Sequence, residues 1–147
     1  MKKIVLLGFS MLLFTLSMHA QIRKIPAGVT ESFKQKYSSA TNVEWKDRLT
    51  SYVATFEQDG KKHDAYFDDD GTWKQTETII EESELPAAVT EGYQKSKYTD
   101  WNIDRVERIE KSDNAIEYRI QVKKGDIRKK NLLFSSEGRL LKDKITV

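Results

Sequence analysis

Residues 25–33 read IPAGVTESF and residues 85–93 read LPAAVTEGY. Pro, Ala, Val, Thr and Glu coincide and the end positions carry similar residues, so the chain contains an internal duplication. In the first copy Val29, Phe33 and Tyr37 recur every four residues, with Glu31, Lys34 and Lys36 elsewhere. That spacing predicts an amphipathic helix over about 26–37. Pro26 is tolerated in a first helical turn, where its missing N–H has no partner to lose, and the Ser38, Ser39, Thr41, Asn42 cluster ends the helix.

Beyond residue 42 the period changes to two, with Val43 and Trp45 opposed to Glu44 and Lys46. A second strand carries Tyr52, Ala54 and Phe56, a third Ala65 and Phe67, and a fourth runs from near Trp73 to Ile80. Asp59-Gly60 and Asp70-Gly71 supply turns that accept positive φ. Residues 81–84, Glu-Glu-Ser-Glu, form a polar connector in which Ser83 is the expected cap of the next helix. The pattern then repeats: Val89 and Tyr93 answer Val29 and Phe33, Tyr98 answers Tyr37, and Tyr118, Ile120 and Val122 answer Tyr52, Ala54 and Phe56. Gly125, Phe134 and Gly138 answer Gly60, Phe67 and Gly71, and residues added between Arg105 and Asn114 lengthen one hairpin, where insertions cost little.

The expected fold is therefore α+β: a tandem duplication of a helix plus a four-stranded antiparallel meander, giving an eight-stranded sheet with both helices on one face. Repeat 1 spans 22–80 and repeat 2 spans 81–147. Alternation places Val43, Trp45, Tyr52, Ala54, Phe56, Ala65, Phe67, Trp73, Ile103, Tyr118, Ile120, Val122, Leu132, Phe134 and Leu140 under the helices. It leaves Glu44, Lys46, Val53, Thr55, Asp64, Tyr66, Lys74, Arg119, Gln121, Lys129, Asn131 and Leu133 on the other, open face.

Residues 1–20 read as a secretory signal peptide, because Lys2 and Lys3 precede an apolar run from Ile4 to Leu16 and a short stretch ending at Ala20. That run is shorter than the roughly 20 residues that span a bilayer. The expected mature domain, 21–147, is periplasmic or secreted, with no membrane span after cleavage. It has no Cys, hence no disulfide and no lipid anchor on a thiol. Loss of two lysines takes the 25 basic residues to 23, against 23 acidic ones. A neutral domain lacks the basic excess of a nucleic-acid binder, and no nucleic acid is expected as partner.

The helix opening Pro-Ala-x-Val, Asn-Val-Glu-Trp at 42–45, SYVATF at 51–56, AYFDDDGTW at 65–73 and the second start LPAAV together resemble the PepSY-like, beta-lactamase-inhibitor-like secreted proteins of Bacteroidetes. The resemblance covers essentially all of 22–147. It implies a curved sheet of two helix-plus-four-strand repeats, and by analogy a role in binding or restraining another protein, in the manner of a protein or peptidase inhibitor. The Asp59 hairpin occupies a loop of the kind that inhibitors of this shape use.

The chemistry of catalysis is thinly represented. His63 is the one histidine after residue 20, so neither a His-based triad nor a His-rich metal cluster can be assembled. Asp68, Asp70, Gly71 and Glu77 fall at places three, five, six and twelve of a calcium-loop pattern, but Tyr66 stands at the first place and the flanks are strands, which favours a hairpin turn. Acids are abundant, yet nothing singles out a glycosidase-like pair. Neither catalysis nor a cofactor is expected. Tyr66 projects opposite Ala65 and Phe67 and is the best aromatic for an exposed contact. From Ala115 to Val147 nine basic residues face four acidic ones, including Arg128, Lys129 and Lys130 in a row. Such a field favours an acidic partner surface or an anionic envelope component, or keeps an edge strand soluble. The expected function is a non-enzymatic module binding a protein or peptide of the cell envelope through Asp59, Asp64, Tyr66, Arg119, Lys129, Asn131 and Leu133. The alternative is a small-ligand or metal-ion carrier.

Overall fold

A computed structural model describes residues 24–146; the signal-peptide reading lies outside the described residues. Helix α1 (Ala27–Lys36) is followed by β1 (Thr41–Arg48), β2 (Ser51–Gln58), β3 (Lys61–Phe67) and β4 (Trp73–Ile80). A short 3-10 turn, Glu82–Glu84, leads to α2 (Ala87–Gln94), β5 (Asn102–Lys111), β6 (Ile116–Lys124), β7 (Arg128–Ser135) and β8 (Leu140–Thr146). All eight strands form one antiparallel sheet in sequential order, with β1 and β8 as its edges. The expected architecture is what the chain adopts.

Each helix builds its own core on the same face of the sheet. Under α1, the Phe33 ring meets Phe56 at 5.1 Å and Trp45 at 5.3 Å, both edge to face, an arrangement that ring quadrupoles favour. Val29, Ala54, Ala65 and Phe67 complete that cluster. Under α2 the filling is more aliphatic, with Val89, Ile120, Val122 and Leu132 beside Tyr118 and Phe134. Helix α2 stops earlier than α1; the Tyr93 hydroxyl lies 3.1 and 3.2 Å from the carbonyls of Tyr98 and Trp101 and fastens the segment that follows.

The duplication extends to irregularities that no residue pattern announces. Register shifts fall between Thr41 and Glu44 in β1 and between Ile103 and Arg105 in β5. A second pair falls after Tyr66 and after its counterpart Leu133. The latter shift corrects one assignment: two residues oppose Phe67, the parity of β4 slips, and Gln75 takes the place beside Tyr66 that alternation gave to Lys74. The connector is also corrected. Ser83 does not cap α2, whose N-cap is Pro86 without a side-chain bond; Glu81 and Glu84 instead cap the 3-10 turn reciprocally.

The turn between third and fourth strands is where helix and sheet meet most closely. At Gly71 (φ 88°) an added Cβ would stand 2.8 Å from the Gly28 carbonyl oxygen; at Gly138 (φ 81°) it would stand 2.0 Å from that of Ala88. Each Pro-Ala-x-Val helix start thus rests on the backbone of its own repeat's last turn. Gly125 has a similar φ of 64° but open space around it. Gly125→Ala should therefore lose about 1 kcal/mol from the left-handed backbone alone, and Gly138→Ala at least about 2 kcal/mol more. Urea unfolding of both variants measures the difference; equal losses would show that the helix does not rest on that turn.

Candidate functional site

On the uncovered face the strand registers align Thr55, Asp64, Glu77, Ile109 and Glu117 in one cross-strand row. The next row holds Ile79, Glu107, Arg119, Leu133 and Lys142. Their centre is an ion network. Arg119 donates from Nη1 to Glu77 Oε2 and from Nη2 to Glu77 Oε1, both at 2.7 Å, and from Nη1 to Glu107 Oε2 at 2.5 Å. Arg105 holds the other oxygen of Glu107 at 2.6 Å. Gln75 Nε2 donates to Glu77 Oε1 at 2.8 Å, and the Tyr66 hydroxyl lies 3.4 Å from Glu77 Oε2.

Burial gives this network its strength. Glu77 is 8% and Glu107 7% exposed, so their charges are partly withdrawn from water and depend on the guanidinium. The planar fork of Arg suits a bidentate carboxylate. Hydrogen bonds from Arg119 to Glu77, aided by the charge of Glu107, raise its pKa further and keep it a cation. The Tyr66 hydroxyl is pushed up to about 12, first by burial and then by the charges of Glu77 and Asp64. Tyr66 is thus a neutral donor fixed beside an acid.

Of the residues expected to form the site, Asp64, Tyr66, Arg119, Asn131 and Leu133 do share the open face, though not as equals. Arg119 is committed to Glu77 and Glu107, so it is not the free cation that an acidic partner would need. Asp64 accepts from Thr55 at 2.6 Å, and Gln121 donates to Asn131 at 3.2 Å. Lys129 sits near the far end of β7 and shares Asp104 with Lys123. Asp59 stands at the tip of the β2–β3 hairpin, in a turn with Gly60 (φ 53° and 72°), apart from the central network. Val53 and Thr55 lie on this face as expected, although they are only 3% and 7% exposed.

The basic excess of the second repeat is largely answered from outside that stretch or across strands. Asp104 pairs with Lys123 and Lys129, Asp100 with Lys124, and Asp143 with Lys130. Lys142 and Lys144 remain exposed on the edge strand β8. The acidic turn has local duties: Asp70 accepts the Thr72 N–H at 2.8 Å and Asp68 pairs with Lys74 at 2.9 Å. His63 stacks on Phe56 at 5.0 Å, with ring nitrogens 3.0 Å from Thr78 Oγ1 and 3.1 Å from the Gln58 carbonyl. Among the described residues no group of three or more His, Asp or Glu is placed to hold a metal ion, and no helix is long and apolar enough to cross a membrane.

A family model described as "Putative beta-lactamase-inhibitor-like, PepSY-like" matches this chain in two overlapping segments, residues 17–61 and 50–142. The chain belongs to that family. Among solved structures, a BLIP-like protein from Bacteroides fragilis is 30% identical over 84% of this chain and 87% of its own, with a TM-score of 0.74. A DUF2874 family protein from Bacteroides ovatus is 26% identical, covering 83% and 88%, with a TM-score of 0.78. A third, described as "putative periplasmic proteins" from Bacteroides eggerthii, is 26% identical, covering 83% and 89%, also at 0.78. Comparison with curated proteins gives no match. The family is inhibitor-like and is not a known enzyme family.

In this PepSY-like chain the residues that sequence reasoning missed are Glu77, Glu107 and Gln75. A signal was present: alternation along β4 brings Glu77 to the same face as Arg119, and a carboxylate at the centre of a sheet calls for a cation. Replacing Arg119 by Met should destabilise the fold by about 3 kcal/mol, because two partly buried carboxylates lose their partner. Replacing Glu77 and Glu107 by Met as well should restore most of it. Urea unfolding of the single and triple variants tests this; a single variant as stable as wild type would mean the network is solvated and carries little energy.

Proposed function

We propose that this protein is a non-enzymatic binding module of the periplasm or extracellular space, which takes a protein partner on its uncovered sheet face. The observation that carries this reading is that face itself. Helices cover one side of the sheet completely enough to build two cores, whereas the other side presents ordered polar groups around the fixed Arg119 network. A surface already immobilised by its own hydrogen bonds loses little conformational entropy when a partner docks. Tyr66 and Leu133 are the apolar anchors on it, flanked by Gln75, Gln121 and Asn131 as adaptable hydrogen-bonding groups.

The fold family supports a protein partner, since the chain resembles a BLIP-like protein over 84% of its length. Location outside the cytoplasm is supported by the leader-like first 20 residues and by the description of the Bacteroides eggerthii relative. The arrangement also points away from a strongly acidic contact at the centre, where Arg119 is already neutralised. The cations of β8, Lys142 and Lys144, would meet acidic groups at the rim, steering encounter more than adding affinity.

Capture from a cell-envelope extract, with the retained protein identified by mass spectrometry and then purified, checks this reading. A Tyr66→Ala, Leu133→Glu variant should bind the purified partner at least about tenfold more weakly, while Gln35→Lys on the exposed side of α1 should leave affinity unchanged. Equal affinity of the open-face variant and wild type would remove this face as the binding surface.

A further inference from the structure

The two repeats differ in one place where their equivalence makes the difference informative. In repeat 2 the first strand, β5, is covered along its outer edge by β4, in the register Ile80 with Val106, Ile79 with Glu107, Thr78 with Arg108 and Glu77 with Ile109. Ile80 packs against the core beneath α2, and Val106 is buried. In repeat 1 the first strand, β1, is the sheet edge, and among the described residues no strand plays the part of β4. Trp45 is the counterpart of Val106, because Trp45 faces Ala54 as Val106 faces Ile120. Trp45 is only partly buried, and Val43 is 38% exposed. Between α1 and β1 lies a cavity of about 510 Å³ walled by Phe33, Tyr37, Val43 and Trp45, with Lys34 at its lining.

We infer that β1 is a docking edge for an extended acidic segment of another protein, which adds antiparallel to Trp45–Arg48 and places a large aliphatic side chain in the α1–β1 cavity. The chain's own β4 is the template for this occupant. Edge N–H and C=O groups supply the backbone pairing, and the cavity supplies an apolar site where repeat 2 holds Ile80. The charge follows from the same register. Residues opposite Lys46 and Arg48 occupy the places of Ile79 and Glu77, so acids there meet cations that are exposed in the free protein, while Asp47 between them faces the uncharged place of Thr78. Like charges directly opposite one another would be unfavourable.

That requirement sets the occupant apart from a second copy of this chain. The strand equivalent to β4 in repeat 2 is β8, and in the same register its Lys144, the counterpart of Glu77, would stand opposite Arg48. Head-to-tail growth of the sheet is thereby opposed, in the way charged edge residues commonly block edge-to-edge association. The cavity lies on the helix side of the sheet and is distinct from the Arg119 network, whereas Lys46 shares the open-face row of Val53 and Tyr66, so the edge site adjoins the surface proposed above without coinciding with it.

The probe is a synthetic peptide of residues 75–80 carrying Ile79→Glu, Gln-Thr-Glu-Thr-Glu-Ile, which sets acids opposite both Lys46 and Arg48 and is added to the isotopically labelled protein. The expected result is saturable amide shifts confined to Trp45–Arg48 and the adjoining end of α1, with a change in Trp45 fluorescence. A peptide with its glutamates replaced by lysines, and one N-methylated along its pairing edge, should each bind at least about tenfold more weakly. A Lys46→Glu, Arg48→Glu protein should lose the acidic peptide and take the lysine peptide. Because both substitutions lie on exposed side chains, far-UV circular dichroism should be unchanged. No shift at millimolar peptide, shifts centred on the open face, unchanged affinity of the lysine peptide, or concentration-dependent shifts of β1 with β8 in the absence of peptide would each overturn the inference.

Discussion

The Arg119 guanidinium joins what the duplication leaves separate. It stands on β6 of the second repeat and reaches across Glu107 on β5 to Glu77 on β4 of the first. The two helix-covered cores do not meet there; the sheet passes between them through the β4–β5 pairing alone. A bidentate, partly buried ion network on the opposite side of that pairing therefore fixes the relation between the halves. It also determines the surface a partner would meet, since Tyr66 and Gln75 both turn toward Glu77.

Two such halves in series explain where the molecule can still make contacts. A strand meander repeated once has an inner junction, where β4 covers β5, and two outer edges where, among the described residues, that covering is missing. Of the exposed large apolar residues, Val43 lies on β1 and Leu140, Leu141 and Ile145 lie on β8. The edges are unequal in charge and shape. β8 carries the exposed Lys142 and Lys144, whereas β1 carries Lys46 and Arg48 among the acids Glu44 and Asp47 and borders the cavity beneath α1. The two proposed contacts divide along the same lines, one on the broad rigid face on one side of the sheet and one in a narrow groove at one end.

Much of the fold was legible because it rests on local chemistry. Val29 and Phe33 at helical spacing, Tyr52, Ala54 and Phe56 at strand spacing, and Asp59-Gly60 at a turn each specify their conformation without reference to distant residues. The candidate site was legible only in part because it depends on register. Alternation brought Tyr66, Asp64 and Arg119 to one face, but Lys74 was assigned to a place that a bulge gives to Gln75. A bulge is set by cross-strand fit around Phe67 and Trp73, which a single strand's pattern does not encode. Glu77 and Glu107 were hidden for a related reason: an acid reads as surface charge until its partner two strands away is known. The same pairing weakens the local positive field expected of residues 115–147, since Asp100 and Asp104 precede the stretch over which that charge is counted.

The working surface proposed for this protein is the uncovered sheet face, spanning both repeats and organised by Arg119. Hydroxyl-radical footprinting of the protein, free and bound to its captured partner, addresses this most directly because it reports side-chain access residue by residue. Tyr66 on the first repeat and Leu133 on the second should be protected, with Leu49 and Ile127 at the hairpin tips unchanged. Full labelling of Tyr66 and Leu133 in the complex, with protection confined to the helical side, would contradict it.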